Sequence, residues 1–235
     1  MTTKEEFQEP TGDHEPAGYH SYRRPLTPYE RFMEEEDIPI YRGMGVYDVR
    51  QLSLGPWKRL GGRGIFLQLD GCGGIRAMYV LEVPSGAALN TERHMYDEFM
   101  YVVEGRGSTE VWREGSNKKH TFEWQTGALF TIPINTHHRL VNASSSPALI
   151  LAATNAPPIM GIFQSRSFIF DNPYEFRERY DESDENYFKA REEVEREHNR
   201  GRASIRSNVF PDIVNCALPL DNQRAPGYRR IQPSF

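Results

Sequence analysis

An all-β barrel or sandwich is the fold class that this 235-residue chain predicts, on three observations. Between residues 46 and 170, short runs rich in β-branched and aromatic residues recur at intervals of about ten residues. Gly, Pro and Asn punctuate those runs, and no helical periodicity interrupts them. A parallel α/β sheet, which needs a helix between successive strands, is therefore excluded.

The residues before the strands carry a different pattern. Met1 to about Pro25 hold Pro, Gly, Glu and His without periodicity, which predicts a mobile arm. Thr27, Pro28 and Glu30 then stand where a capping box requires an N-cap hydroxyl, a proline at the first helical position and an acid three residues after the cap. This predicts a short helix running to about Glu36 and ending before Pro39.

Eight strands follow in order: Gly64–Asp70, Ile75–Val83, Glu98–Val103, Ser108–Trp112, Lys119–Trp124, Ala128–Ile132, His138–Asn142 and Ala148–Ala152. Gly61-Gly-Arg-Gly64 and Gly71-Cys-Gly-Gly74 lack the strand–glycine–helix context of a phosphate loop and read as turns. Met78, Val80, Met100, Val102 and Phe130 are the expected apolar lining of the barrel, equally serviceable as plain core. Beyond Phe170 the chain becomes charged. Ser183 to Asn199 predicts a surface helix closed by Gly201, and the segment from Val209 to Phe235 predicts an extended, proline-interrupted tail. The organisation read from the chain is thus an N-terminal arm and short helix (1–45), a barrel (46–170), and a helical and extended C-terminal segment (171–235).

Composition narrows the partners. The net charge is −5 and no Lys/Arg block is long enough to track a phosphate backbone, so nucleic acid is not an expected partner. The N-terminus lacks the apolar core of a signal peptide, and no run reaches the length of a bilayer span, so no membrane association is expected. Cys72 and Cys216 are the only cysteines and lie far apart, which suits a reducing, cytoplasmic setting rather than a disulfide framework.

The chemistry concentrates in two segments. In the first, Gly86, Glu92, His94, Glu98 and Gly105 stand at fixed spacings; in the second, Gly127, Pro133, Asn135, His138 and Asn142 do. Residues two apart on a strand share a face, so Glu92 and His94 project together, and Glu98 opens the next strand after a turn at Tyr96-Asp97. In the pair His137-His138 only one ring can face inward. Imidazoles and carboxylates converging in a closed barrel need a counter-charge, and a divalent metal supplies it. An interior histidine with ordinary hydrogen bonds, or a Glu98 paired to an arginine such as Arg76, is the alternative.

These segments resemble the two cupin motifs, G-x5-H-x-H-x3/4-E-x6-G and G-x5-P-x-G-x2-H-x3-N, at eight of ten positions, with Glu92 and Asn135 replacing a histidine and a glycine. The resemblance implies a cupin double-stranded β-helix, a jelly-roll barrel, flanked by the short N-terminal helix, the C-terminal charged helix and the tail. It selects His138 as inward and leaves His137 at the rim. It implies metal ligation by His94, Glu98 and His138, with Glu92 either as a fourth ligand or as an acceptor behind a ligand histidine. The carboxylate-rich set favours Fe(II) or Mn(II), with Ni and Zn also compatible. Asn142 is expected to fix a strand end, and His14, His20, His120 and His198 to be solvated.

The chain is also similar to the N-terminal half of two-barrel cupins such as gentisate 1,2-dioxygenase, which would make it a shortened relative or part of a longer protein. The function this implies is a metal-dependent oxygenase acting on a small organic acid or aromatic compound. Glu92 would then be a ligand or base, and Tyr96, near the mouth, would orient a substrate carboxylate, with Arg93 beside it either sharing that role or, as strand alternation favours, facing outward at the surface. A non-catalytic ligand-binding or sensor cupin, and a metal-free isomerase or epimerase using Tyr96 or Tyr101 with His138, are the alternatives. The apolar residues of the tail, from Val209 to Leu220, are expected to pack on a barrel, and a homodimer is the expected assembly.

Overall fold

The N-terminal helix forms where its capping signals stand. The computed structural model describes residues 24–72, 74–191, 194–196, 203–216, 220–221 and 232–233. In it, α1 spans Pro28–Glu35 and Glu36 is its C-cap. Thr27 Oγ1 accepts from the Glu30 backbone N–H at 3.2 Å, and Glu30 Oε2 accepts from the Thr27 N–H at 2.8 Å. The helix buries Tyr29, Phe32 and Met33 against the barrel core. All of the expected arm but Arg24 and Pro25 lies outside the described residues, as do His14, His20, His198 and Gly201.

The barrel strands are β1 (Ile40–Gly43), β2 (Gly55–Trp57), β3 (Gly62–Leu69), β4 (Ala77–Val83), β5 (Ala87–Ala88), β6 (Glu98–Glu104), β7 (Arg106–Trp112), β8 (His120–Gln125), β9 (Leu129–Ile132), β10 (His137–Asn142) and β11 (Ala148–Thr154). Two short helices follow, α2 (Ala156–Phe163) and α3 (Arg166–Phe170). After them come β12 (Val194–Arg196), β13 (Ala203–Ile205) and β14 (Val209–Phe210). One sheet runs β1-β3-β4-β11-β6-β9-β14, with β2 on β3, and the other runs β5-β10-β7-β8. The fold is a jelly roll of two facing sheets, and the core sits between them. All eight expected strands are present, displaced by at most a few residues at their ends. Among the described residues no helix is long and apolar enough to cross a membrane.

Several expectations need correction. The sheet starts before residue 46, because β1 pairs in parallel with β3. Gly62 and Gly64 lie in β3 rather than in a turn. A Cβ on Gly64 would stand 2.4 Å from the Trp57 ring, so the glycine admits the indole rather than a change of direction. Met100, Val102 and Phe130 do face the interior, but Val80 packs on the opposite sheet face with Ile65 and Leu67, and Met78 joins it there. The alternation of β4 gives the inner face to Ala77, Tyr79, Leu81 and Val83 instead.

The charged helix expected at 183–199 is also absent where that segment is described. Turns occupy residues 182–189, and β12 pairs antiparallel with β13. Asp181 and Asp184 accept from the backbone N–H groups of Ser183 and Asn186, both at 2.9 Å, and such local bonds compete with helix formation. Tyr187 and Phe188, adjacent in sequence, both pack on Tyr180, with ring centroids at 4.9 and 6.1 Å. The tail does return to its own barrel: Val209 and Phe210 pair with β9, and the Ile213 N–H donates to the Gly127 carbonyl at 2.8 Å.

Gly105 turns the chain between β6 and β7 at φ +90°, where a Cβ would lie 2.8 Å from Ala148 Cα. Gly86, at φ +66°, has open space around it. Gly105→Ala should therefore lower unfolding stability by about 1–3 kcal/mol in urea titration, and Gly86→Ala by distinctly less. Equal losses would contradict the packing argument.

Candidate metal centre

Backbone pairing aims the ligand set. Glu92 and His138 form a two-way bridge, the Glu92 N–H donating to the His138 carbonyl at 3.0 Å and the His138 N–H to the Glu92 carbonyl at 2.9 Å. Directly opposed residues on antiparallel chains share a face, so both side chains turn inward together. His94, two residues on from Glu92, takes the same face and is anchored by the Asn135 N–H, which donates to its carbonyl at 2.9 Å. Glu98 enters from the first position of β6. His94, Glu98 and His138 then offer ligand atoms that all lie within 4.8 Å of one another, and this cluster could hold a metal ion. Exposures of 2%, 3% and 0% seal the three from bulk water.

Each histidine presents the same nitrogen to the cluster. His94 Nδ1 lies 3.0 Å from the Tyr96 carbonyl, and His138 Nδ1 lies 3.2 Å from the Thr136 carbonyl. A carbonyl oxygen only accepts, so Nδ1 carries the proton in each neutral ring and Nε2 keeps its lone pair for the cluster. His94 Nε2 is 3.3 Å from Glu98 Oε2. His138 Nε2 is buried without a hydrogen-bond partner, lying 3.6 Å from Glu92 Oε1 and 3.8 Å from Glu98 Oε2. Burial opposes the charging of His138, but the Glu92 and Glu98 carboxylates outweigh it and raise its pKa. The site attracts a cation where that nitrogen points.

Two residues that sequence reasoning missed complete the electrostatics. The Tyr79 hydroxyl donates to Glu98 Oε1 at 2.5 Å, and burial together with the Glu98 charge holds its pKa well above the ordinary value, keeping it a donor. Arg59 donates from one terminal nitrogen to Glu92 Oε2 at 2.5 Å and from Nε to Glu36 Oε2 at 2.7 Å. Its guanidinium carbon stands 5.4–5.7 Å from the ring centroids of Phe32, Trp57 and Phe170. Burial would discharge Arg59, yet Glu92, Tyr96 and Glu36 overcompensate and keep it cationic. Burial would likewise raise the Glu92 pKa, but Arg59 and His138 hold it well below the usual carboxylate range. Neither partner was legible locally: Tyr79 reaches Glu98 only because β11 brings β4 beside β6.

The remaining expected positions fall as follows. His137 faces away from the cluster, stacked on Trp112 with centroids 5.6 Å apart and with Nε2 3.0 Å from Glu114. Tyr96 is buried at 4% exposure rather than set at the mouth, its ring flat on His94 at 3.8 Å and edge-on to Phe170. Arg93 binds Glu114 and the Asp171 carbonyl, and the partner of Glu98 is Tyr79 rather than Arg76. Asn142 ties the turn after β10, donating to the Val83 and Ser146 carbonyls and accepting from Ser144. His120 is half-buried rather than fully solvated: its ring packs among Tyr180 and Phe188, with Nδ1 3.1 Å from the Tyr180 hydroxyl. Asn135 takes φ +55°, the left-handed conformation for which its motif position uses glycine, and donates to the Asn172 and Tyr174 carbonyls.

Fold and site together define a jelly-roll protein with an inward cluster of two histidines and a glutamate. Residues 79–154 match the family model described as Cupin domain, a stretch that contains His94, Glu98 and His138. No curated protein matches the chain in sequence. Among solved structures it is similar to oxalate decarboxylase from Lactobacillus farciminis in its formate complex, at 20% identity and TM-score 0.39, covering 46% of this chain and 32% of that one. A vicilin from Solanum melongena gives 17% identity and TM-score 0.36 over 40% of this chain and 26% of the other. Peruvianin-I, described as a cysteine peptidase from Thevetia peruviana latex, gives 16% identity and TM-score 0.41 over 47% and 71%. The chain thus spans about a third or less of the length of the first two.

Among the described residues Arg59 is the one arginine paired with Glu92, whose only other basic neighbour is His138, and one of two arginines paired with Glu36. Removing one member of such a network leaves the others uncompensated. Arg59→Met should lower unfolding stability by about 3–5 kcal/mol, measured by denaturant titration at neutral pH. A loss below 1 kcal/mol would show that solvent already screens the pair.

Proposed function

We propose that this chain is a metal-binding cupin that holds one divalent transition ion through His94, Glu98 and His138. We further propose that it acts as an oxygenase-type enzyme on a small organic acid or aromatic compound. One observation carries the metal reading: both Nδ1 atoms are committed to backbone carbonyls, which leaves two Nε2 atoms and a Glu98 oxygen converging, one of those nitrogens buried and unsatisfied. Without an ion the barrel buries polar groups that lack full partners, an expensive arrangement.

Two histidines and one carboxylate with open positions are the ligand set that suits non-haem Fe(II) and O₂ chemistry. The bound ion would supply those open positions and its redox change. The protein's own groups prepare the place. Tyr79 fixes Glu98, the carbonyls of Tyr96 and Thr136 fix the rings, and the Tyr96 ring lies flat on His94. Aromatic walls from Phe32, Phe66 and Phe170 exclude water, which strengthens every electrostatic contact inside.

A second reading, a non-catalytic binding or sensor cupin with a structural ion, is favoured by the near-complete burial of the cluster. Oxygen uptake separates the two. The Fe(II)-loaded protein should consume O₂ with at least one member of a panel of aromatic acids and short dicarboxylates. A loaded protein that consumes none supports the second reading.

The metal itself is tested by elemental analysis after anaerobic reconstitution. The wild type should carry close to one ion per chain, and His138→Ala should carry none. His137→Ala should load almost normally, because its ring faces Glu114. A wild type that stays empty with Fe(II), Mn(II), Ni(II) and Zn(II) would end the metal reading.

A further inference from the structure

We propose that Arg59 sets the ligand count of this centre: it holds the Glu92 carboxylate in an ion pair, so that the ion takes three protein ligands and not four. The proposal rests on the metal reading above and concerns only how Glu92 is used. Glu92 stands at the cupin-motif position of a histidine and faces inward beside His138, so its sequence place alone makes it a ligand candidate. The side chain is otherwise engaged. One oxygen is 2.5 Å from the Arg59 guanidinium, and the other is 3.6 Å from His138 Nε2. The cluster whose ligand atoms lie within 4.8 Å of one another comprises His94, Glu98 and His138 without it.

Arg59 is poorly placed to release that carboxylate. Its side chain is 23% exposed and enclosed by the rings of Phe32, Trp57 and Phe170. Its other acceptor, Glu36, is already shared with the Trp57 indole N–H at 2.5 Å and with Arg166 at 3.3 Å. An ion that drew Glu92 away would leave a boxed-in guanidinium with a single, divided counter-charge, and the desolvation of that cation would oppose the transfer. A histidine at position 92 would carry no charge to match. A glutamate does, and Arg59 matches it. The pairing also limits the negative charge that the ion meets to that of Glu98, and hard-ion affinity rises with the number of charged ligands. Arg59 is therefore a positioning residue that acts through Glu92.

The test is Zn²⁺ affinity by chelator competition, with the Co²⁺ absorption spectrum as a reporter of coordination number, on the full chain. Glu92→Gln keeps the size and the hydrogen-bonding oxygen of the side chain but removes its charge. The proposal predicts Zn²⁺ affinity within about twofold of wild type and an unchanged Co²⁺ spectrum, because Glu92 neither binds the ion nor holds a ligand imidazole N–H, both Nδ1 atoms resting on backbone carbonyls instead. Glu98→Gln, the control, should weaken binding by on the order of a hundredfold or more. Arg59→Met should release Glu92 and tighten binding by on the order of tenfold, and Arg59→Met/Glu92→Gln should cancel that gain.

Since Arg59→Met strands two buried carboxylates and can unfold the chain, Glu92→Gln decides the matter alone. A tenfold or greater loss of affinity in Glu92→Gln, with an altered Co²⁺ spectrum, would make Glu92 a fourth ligand and overturn the proposal while leaving the metal reading intact. A wild type that binds no Zn²⁺ or Co²⁺ would remove both.

Discussion

The constraint on which this structure turns is the burial of His94, Glu98 and His138, with Glu92 largely covered beside them, inside one jelly-roll barrel. Moving a carboxylate from water into such a place costs several kcal/mol unless partners meet it. The chain meets it group by group. Tyr79 donates to one oxygen of Glu98, Arg59 neutralises Glu92, and two backbone carbonyls hold the imidazole N–H groups. What remains is the Nε2 atom of each ring and one carboxylate oxygen of Glu98, converging inside the barrel. A divalent cation completes that arrangement more simply than any rearrangement of the side chains.

The surroundings of the barrel follow from the same constraint. Glu36 caps α1 and accepts from Arg59, so the helix over the barrel and the carboxylate within it are joined by one guanidinium. Arg166, at the start of α3, adds contacts to Glu35 and Glu36 and lies over the Phe32 and Phe170 rings. Aromatic packing and ion pairing are thus one layer. It excludes water from the cluster, and the resulting low local dielectric makes each contact to Glu92 and Glu98 stronger than it would be at the surface.

Motif spacing made the strands, the first helix and the inward histidine readable, because each rests on a local rule. Thr27, Pro28 and Glu30 cap a helix wherever they stand together, and alternation decides between His137 and His138 once the register is known. Arg59 and Tyr79 were not readable. They reach the site through strand order and through the turn between β2 and β3, which bring together residues 33 and 19 positions apart. The 183–199 segment misled for the opposite reason: its charge pattern suits a helix, but Asx turns at Asp181 and Asp184 and the burial of neighbouring Tyr187 and Phe188 override it. Val80 was placed on the wrong face because apolar character alone does not say which side of β4 meets the core. Tyr79, with its partner in the interior, does.

Anomalous diffraction from crystals of metal-loaded protein, recorded on both sides of the absorption edge of the ion, bears most directly on the central claim. The account predicts one peak per chain inside the barrel, about 2.0–2.2 Å from His94 Nε2, His138 Nε2 and a Glu98 oxygen, with Glu92 still on Arg59. A fully loaded crystal whose peak lies elsewhere, or whose barrel shows no anomalous density, would contradict it.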